Sequence, residues 1–309
     1  MSSNAKPNES LVVQKIYDLT GRIALVTGGG TGIGWMISRG LASNGAKVYI
    51  TGRRKEVLEQ AIASFKGAGS ITPIAMDVTD RQSILSVKEE IESREGRLHI
   101  LINNAGIVGP VSRFFNDTSA PEHKDAETLG RALFDNESFE AWSNVYNTNT
   151  FSIYFVTTAF LGLLAKGSED RPGYTSSVVN ITSISGLMKL AQNHACFHRI
   201  LGFAYNSSKA AASHLTKMMS TEFALKKIPV RVNAIAPGVY ESGMTSEEIK
   251  PDMVDKVSLG LRPQPEQRPG TAAEAAGTVI YLVSPAGCYT NGQEIVIDGG
   301  YLAINPSVV

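Results

Sequence analysis

The sequence predicts one doubly wound α/β domain on a seven-stranded parallel sheet. Two observations carry this expectation. Short β-branched runs alternate with longer amphipathic segments along the chain, and the runs are apolar throughout, as strands buried on both faces must be. The length of 309 residues, 43% of them hydrophobic, supplies one large core.

In chain order, MSSNAKPNES is polar and has no apolar signal core, so residues 1–18 are expected to be a flexible extension and 19–309 the domain. The first strand is Ile23–Thr27, followed by a helix over 33–43. Strands are expected at 48–51, 71–76, 98–103, 177–181, 230–235 and Glu294–Ile297, with a helix at 55–65 and helical patterns in most other gaps. Two segments break the rhythm. Residues 110–140 are polar and rich in turn formers, and 186–203 carry His194, Cys196 and His198, which are read as loop residues. Both segments are expected to rim a cleft.

Composition excludes several functions. Lys plus Arg balance Asp plus Glu at 29 each, so no basic surface for nucleic acid is expected. Two cysteines, Cys196 and Cys288, make neither a disulfide framework nor a metal site and fit a reducing, cytoplasmic compartment. No long apolar run suggests a membrane span.

Residues 27–34, TGGGTGIG, lie between the first strand and the helix that follows it. Gly28, Gly32 and Gly34 there allow a sharp turn whose N–H groups approach a pyrophosphate at a helix N-terminus, as in a Rossmann-type dinucleotide site. The second strand ends ITGRR. Gly52 stands where an NAD site usually has an acid, and Arg53 follows, a donor suited to the 2′-phosphate of NADP(H).

Further along stand DV at 77–78, NNAG at 103–106, Asn149 within NTNTFSIYFVT, Ser183 within NITSISG, Tyr205 and Lys209 within YNSSK, NAIAPG at 233–238 and DGG at 298–300. Taken in order, these motifs resemble the short-chain dehydrogenases/reductases from Leu19 to Gly300. PGVYESGMT adds a narrower likeness to NADPH-dependent 3-oxoacyl and carbonyl reductases. The resemblance implies a catalytic set of Asn149, Ser183, Tyr205 and Lys209. It implies cofactor contacts from Gly28, Thr31, Gly32, Ile33, Gly34, Arg53, Asp77, Val78, Asn104, Ala105, Gly106, Pro237, Gly238, Val239 and Ser242, besides Tyr205 and Lys209. It also implies a homo-oligomer, tetramer or dimer, through the helices that begin near Asn149 and Tyr205.

The chemistry suits these residue types. A free tyrosine, with pKa near ~10, exchanges protons poorly at neutral pH, and an ammonium beside it favours the phenolate. Spacing i to i+4 puts Tyr205 and Lys209 on one helix face. Ser183 would hydrogen-bond a carbonyl oxygen. Ser183 is preferred to Ser185 because it directly follows NIT. The expected activity is NADPH-dependent interconversion of a small-molecule ketone and its secondary alcohol. An NAD-dependent dehydrogenase, a scaffold repurposed for a non-redox step, and a cofactor-bound sensor are the alternatives.

Overall fold

The computed structural model describes residues 11–170, 172–189, 202–240 and 264–305. Seven strands, β1 (Ile23–Thr27), β2 (Lys47–Gly52), β3 (Ser70–Ala75), β4 (Ile100–Asn103), β5 (Ser176–Ile181), β6 (Val230–Pro237) and β7 (Glu294–Ile297), form one sheet in the order β3-β2-β1-β4-β5-β6-β7. Every neighbouring pair is parallel. The winding reverses between β1 and β4, which opens a crevice at the carboxyl ends of those strands.

Helices cover both faces: α1 (Val13–Ile16) precedes the sheet, then α2 (Gly32–Ser43), α3 (Lys55–Ala63), α4 (Arg81–Glu95), α5 (Ala126–Asn136), α6 (Phe139–Tyr146), α7 (Ser152–Gly167), α8 (Phe203–Leu225), α9 (Ala272–Val283) and α10 (Tyr301–Ile304). The period of two along a strand divides β1 between two cores. Ile23 and Leu25 join Ile84 and Ile91 of α4, Val156 and Phe160 of α7 and Met219 and Phe223 of α8. Ala24 and Val26 join Ile37 and Leu41 of α2, Leu58 of α3 and Val279 and Leu282 of α9. Removing one such fully buried Leu side chain costs about 2–5 kcal/mol, because the cavity only partly collapses.

Local signals set several helix ends. Asp80 caps α4 by accepting from the Gln82 N–H, and left-handed Gly96 closes it. A capping box, Thr271 with Glu274, starts α9.

Residues 110–140 depart from expectation. They hold two short 3₁₀ turns and the three-turn helix α5, whose N-cap Asp125 accepts from the Thr128 N–H. No residue of α5 is fully buried, although Ala126, Leu129 and Leu133 recur at helical spacing. The segment expected as a flexible extension carries the single turn α1 from Val13, and the buried core begins at Leu19.

Phe139–Gly167 is one stretch long and apolar enough to cross a membrane by length and composition, and half of it is buried in this fold. Val156, Phe160, Leu163 and Leu164 pack on the sheet, as in a core helix of the α/β domain.

Candidate active site

The glycine loop is built against β4. Thr27 Oγ1 accepts from the N–H groups of Asn104 and Ala105, and Asn104 Nδ2 donates to the carbonyls of Thr27 and Gly28. A Cβ on Gly34 would stand 2.3 Å from both Asn104 Nδ2 and the Gly28 carbonyl oxygen. One on Gly28 would meet Ala105 Cα at 3.0 Å, at a φ of +62°. These two glycines are therefore required by the chain's own packing on NNAG, not only by the approach of a phosphate as the sequence suggested. Thr31 caps α2 through its backbone and makes no side-chain cap bond, which leaves first-turn N–H groups for an anion.

Beside this loop lies a cleft of about 400 Å³ lined by Gly28, Thr31, Arg53, Asp77, Val78, Ala105 and Gly106, among others. Arg53 follows β2 and is exposed, and no ion pair of its guanidinium occurs among the described residues. Burial would raise Asp77, but hydrogen bonds from the Thr79 hydroxyl and N–H and the charge of Arg53 outweigh it and hold the carboxyl below its ordinary value. A glycine-walled cleft at a helix N-terminus, with an exposed guanidinium at its rim, fits a nicotinamide adenine dinucleotide.

The four expected catalytic residues converge. Asn149 lies in a π-helical turn, Asn147–Phe151, between α6 and α7. That turn breaks the i to i−4 ladder and re-aims its residues. Asn149 Oδ1 accepts from the Ile107 N–H, and its Nδ2 donates to the Ile107 carbonyl and to Ser208 Oγ. Thr150 Oγ1 adds a bond to the Ser208 carbonyl. α8 is thereby tied to the loop after β4. Ser183 follows β5, and its hydroxyl accepts from the Ser185 N–H and acts on the Tyr205 phenol against the effect of burial. It is Ser183, the expected register, that faces Tyr205. Lys209 Nζ donates to the Ile181 carbonyl at 2.8 Å and lies 5.8 Å from the Tyr205 ring centroid.

Burial dominates the electrostatics. Desolvation raises the Tyr205 phenol above its ordinary value, and the Ser183 hydrogen bond opposes it only in part. Desolvation lowers Lys209 to about 8. Around Tyr205, burial outweighs the pull expected of the ammonium on the same helix face, and the phenol is pushed up. Enclosure shifts both groups toward their neutral forms.

Pro237, Gly238 and Val239 end β6 and follow it, and Val239 lines a second cavity with Tyr240 and Asp298. Ser242 and the loop residues His194, Cys196 and His198 lie outside the described residues. Gly32 and Ile33 open α2. Sequence reasoning missed Asn144, Asn147 and Thr148, which line the cofactor-sized cleft, and Ser208, which joins Asn149 to α8. Their signal was position: Thr148 and Ser208 adjoin Asn149 and Lys209, and Asn147 and Asn144 lie within the turn and a half before Asn149. On α8, Met219 and Phe223 are core and Met218 is half exposed.

Comparison with known proteins gives the lineage. The sequence model of the short chain dehydrogenase family matches residues 22–252. A short-chain dehydrogenase/reductase of Byssochlamys spectabilis, VdtF, is 37% identical over 97% of this chain and 98% of its own. The rhamnolipids biosynthesis 3-oxoacyl-[acyl-carrier-protein] reductase of Pseudomonas aeruginosa is 30% identical over 92% and 98%. Among solved structures, the Pseudomonas aeruginosa RhlG/NADP active-site complex superposes with a TM-score of 0.76 at 28% identity, covering 93% of this chain and 98% of that one. The chain belongs to the short-chain dehydrogenase family and is an oxidoreductase of that family.

Proposed function

We propose that this short-chain dehydrogenase reduces a ketone to a secondary alcohol with NADPH, or catalyses the reverse, with Tyr205 as general acid and base. The observation that carries the reading is the enclosed Lys209, whose Nζ donates to the Ile181 carbonyl and lies 5.8 Å from the Tyr205 ring centroid, with Ser183 acting on the same phenol. The nicotinamide, when bound, supplies the hydride. Ser183 orients the substrate carbonyl by donating to its oxygen, where negative charge develops. Tyr205, protonated because it is buried, gives its proton to that oxygen. Lys209 then stands next to the phenolate and stabilises it. Asn149 keeps α8 and the Ile107 loop in register.

The preference for NADPH rests on Arg53, a free guanidinium at the cleft rim with Gly52 before it, where a carboxylate would repel the extra phosphate. The named NADP complex of a structural neighbour supports the same reading. The exposed aromatic side of the π turn and α7, with Phe151, Tyr154 and Phe155, supports a homo-oligomer through these helices.

The decisive experiment follows NADPH oxidation across a ketone panel with the native protein and Tyr205→Phe. Turnover should fall by at least about 10³-fold with NADPH affinity kept, because a general acid contributes that order of acceleration. Undiminished turnover in the variant would remove Tyr205 from the reaction.

A further inference from the structure

Glu294 opens β7 on the far side of the sheet from the glycine loop, and its carboxylate has two buried partners on two different elements. Oε1 accepts from Thr182 Oγ1 at 2.6 Å, and Oε2 accepts a short hydrogen bond from Ser213 Oγ. Thr182 Oγ1 also lies 2.9 Å from the Ile235 carbonyl. That carbonyl already receives the Thr182 backbone N–H at 2.9 Å, so the single hydroxyl proton goes to the stronger, anionic acceptor.

The two partners are adjacent to the reacting groups. Thr182 precedes Ser183, and Ser213 lies one turn beyond Lys209 on α8. Ile181, on the other side of Thr182, accepts from Lys209. The contacts close a ring from Lys209 to Ile181 and Thr182, through Glu294 to Ser213, and back along α8 to Lys209. β5 ends at Ile181, so beyond Thr182 no strand pairing holds the backbone that carries Ser183. Ser183 reaches Tyr205 across a gap that this ring spans.

We propose that Glu294 is a positioning residue: its carboxylate clamps Thr182 to Ser213 and so fixes Ser183 against Tyr205 and Lys209. This rests on the tyrosine-based reduction proposed above. Glu294 touches neither the cleft lining nor the reacting atoms. Its loss should slow the chemical step while leaving cofactor capture, on the β1–β4 side, unchanged.

The test uses full-length Glu294→Gln, Thr182→Val and Ser213→Ala, each with NADPH affinity, kcat, KM and thermal midpoint measured. Glu294→Gln is isosteric but removes the negative charge that both hydroxyls donate to, and its amide can accept from only one of them while donating to the other, so both arms of the clamp weaken. Its kcat should fall about 10- to 100-fold, the scale of a sub-ångström to ångström misplacement, with NADPH affinity and KM within about twofold. Thr182→Val should lower kcat as well, and combining it with Glu294→Gln should cost little more than either alone, because both cut one linkage. A residue that merely supports the fold would lower the thermal midpoint and leave kcat per folded molecule unchanged. That outcome, or additive effects in the double variant, overturns the proposal. Hydrogen–deuterium exchange of the 182–187 amides without substrate reads the same geometry. It should quicken at least about tenfold in Glu294→Gln, as for a locally opened segment. If the native protein reduces no ketone, the reduction reading fails and the exchange experiment alone decides the clamp; unchanged protection overturns it.

Discussion

At the amino ends of the strands, His99 is fully enclosed before β4, and both of its ring nitrogens are engaged. Nδ1 accepts from the Ile23 N–H at 3.0 Å, and Nε2 lies 2.7 Å from Asp170 Oδ2. Asp170 by itself would favour the imidazolium. A second ring proton would break the bond to Ile23, and burial together with the charges of Arg22 and Arg97 pushes His99 down to about 4. At the carboxyl ends, Tyr205 and Lys209 are buried almost as deeply, at 7% and 4% exposure. Lys209 donates one hydrogen bond among the described residues, to Ile181, and has three N–H groups to offer. Burial moves all three groups toward neutrality. His99, with both ring nitrogens matched, is a structural joint, whereas Lys209 keeps hydrogen-bonding capacity to spare.

Exchanging the roles of the two ends breaks this comparison most sharply. Lys209→Met should reduce turnover by about 10²–10³-fold, the scale of a lost electrostatic and proton-transfer partner, and leave the thermal midpoint unchanged or higher, since an enclosed cation is removed. His99→Ala should do the opposite. It strands the Ile23 N–H and the Asp170 carboxylate and should cost about 2–4 kcal/mol of stability, with kcat per folded molecule unchanged. Chemical denaturation and single-substrate kinetics on both variants check the pair.

The acid response sharpens it further. His99 has a lowered folded-state value, so the unfolded chain binds more protons below the ordinary value of 6.5. Its contribution is present above pH 6.5 and is lost as pH falls toward about 4, up to about 3 kcal/mol. Denaturation curves across that window should show this slope in the native protein and a shallower one in His99→Ala.

Two smaller effects concern the carboxyl end. Arg53→Ala should weaken NADPH binding about tenfold and leave NADH binding within about twofold, as expected for loss of a charge-assisted bond worth about 1.5 kcal/mol. An unchanged cofactor preference would disprove the role of Arg53. Ketone reduction should also fall as pH rises through about 8, where Lys209 loses its proton and can no longer stabilise the phenolate. A rate constant through pH 10 would separate Lys209 from the proton step.

Much of this was legible in the chain. IALVT, TGGGTGIG, NNAG and YNSSK each encode a local requirement: a strand buried on both faces, a tight turn into a helix, a side chain that ties neighbouring strands, and two groups one helical turn apart. Helix α5 was passed over although Ala126, Leu129 and Leu133 recur at helical spacing, because the polar, turn-rich residues around it outweighed that short signal. The clamp from Glu294 was not legible, because it joins positions far apart in sequence.

The sequence by itself determined the alternation of strands and helices, the place of the glycine-rich loop and the family, because turns, caps and helix faces depend on near neighbours. Only the tertiary structure decided that Gly34 must lack a Cβ on account of Asn104, that Ser183 rather than Ser185 meets Tyr205, and that the Tyr205 phenol is pushed up. The i to i+4 lysine argued for a lowered value. Desolvation is the sum of every atom that displaces water around the ring, and those atoms come from elements that spacing along one helix does not reveal.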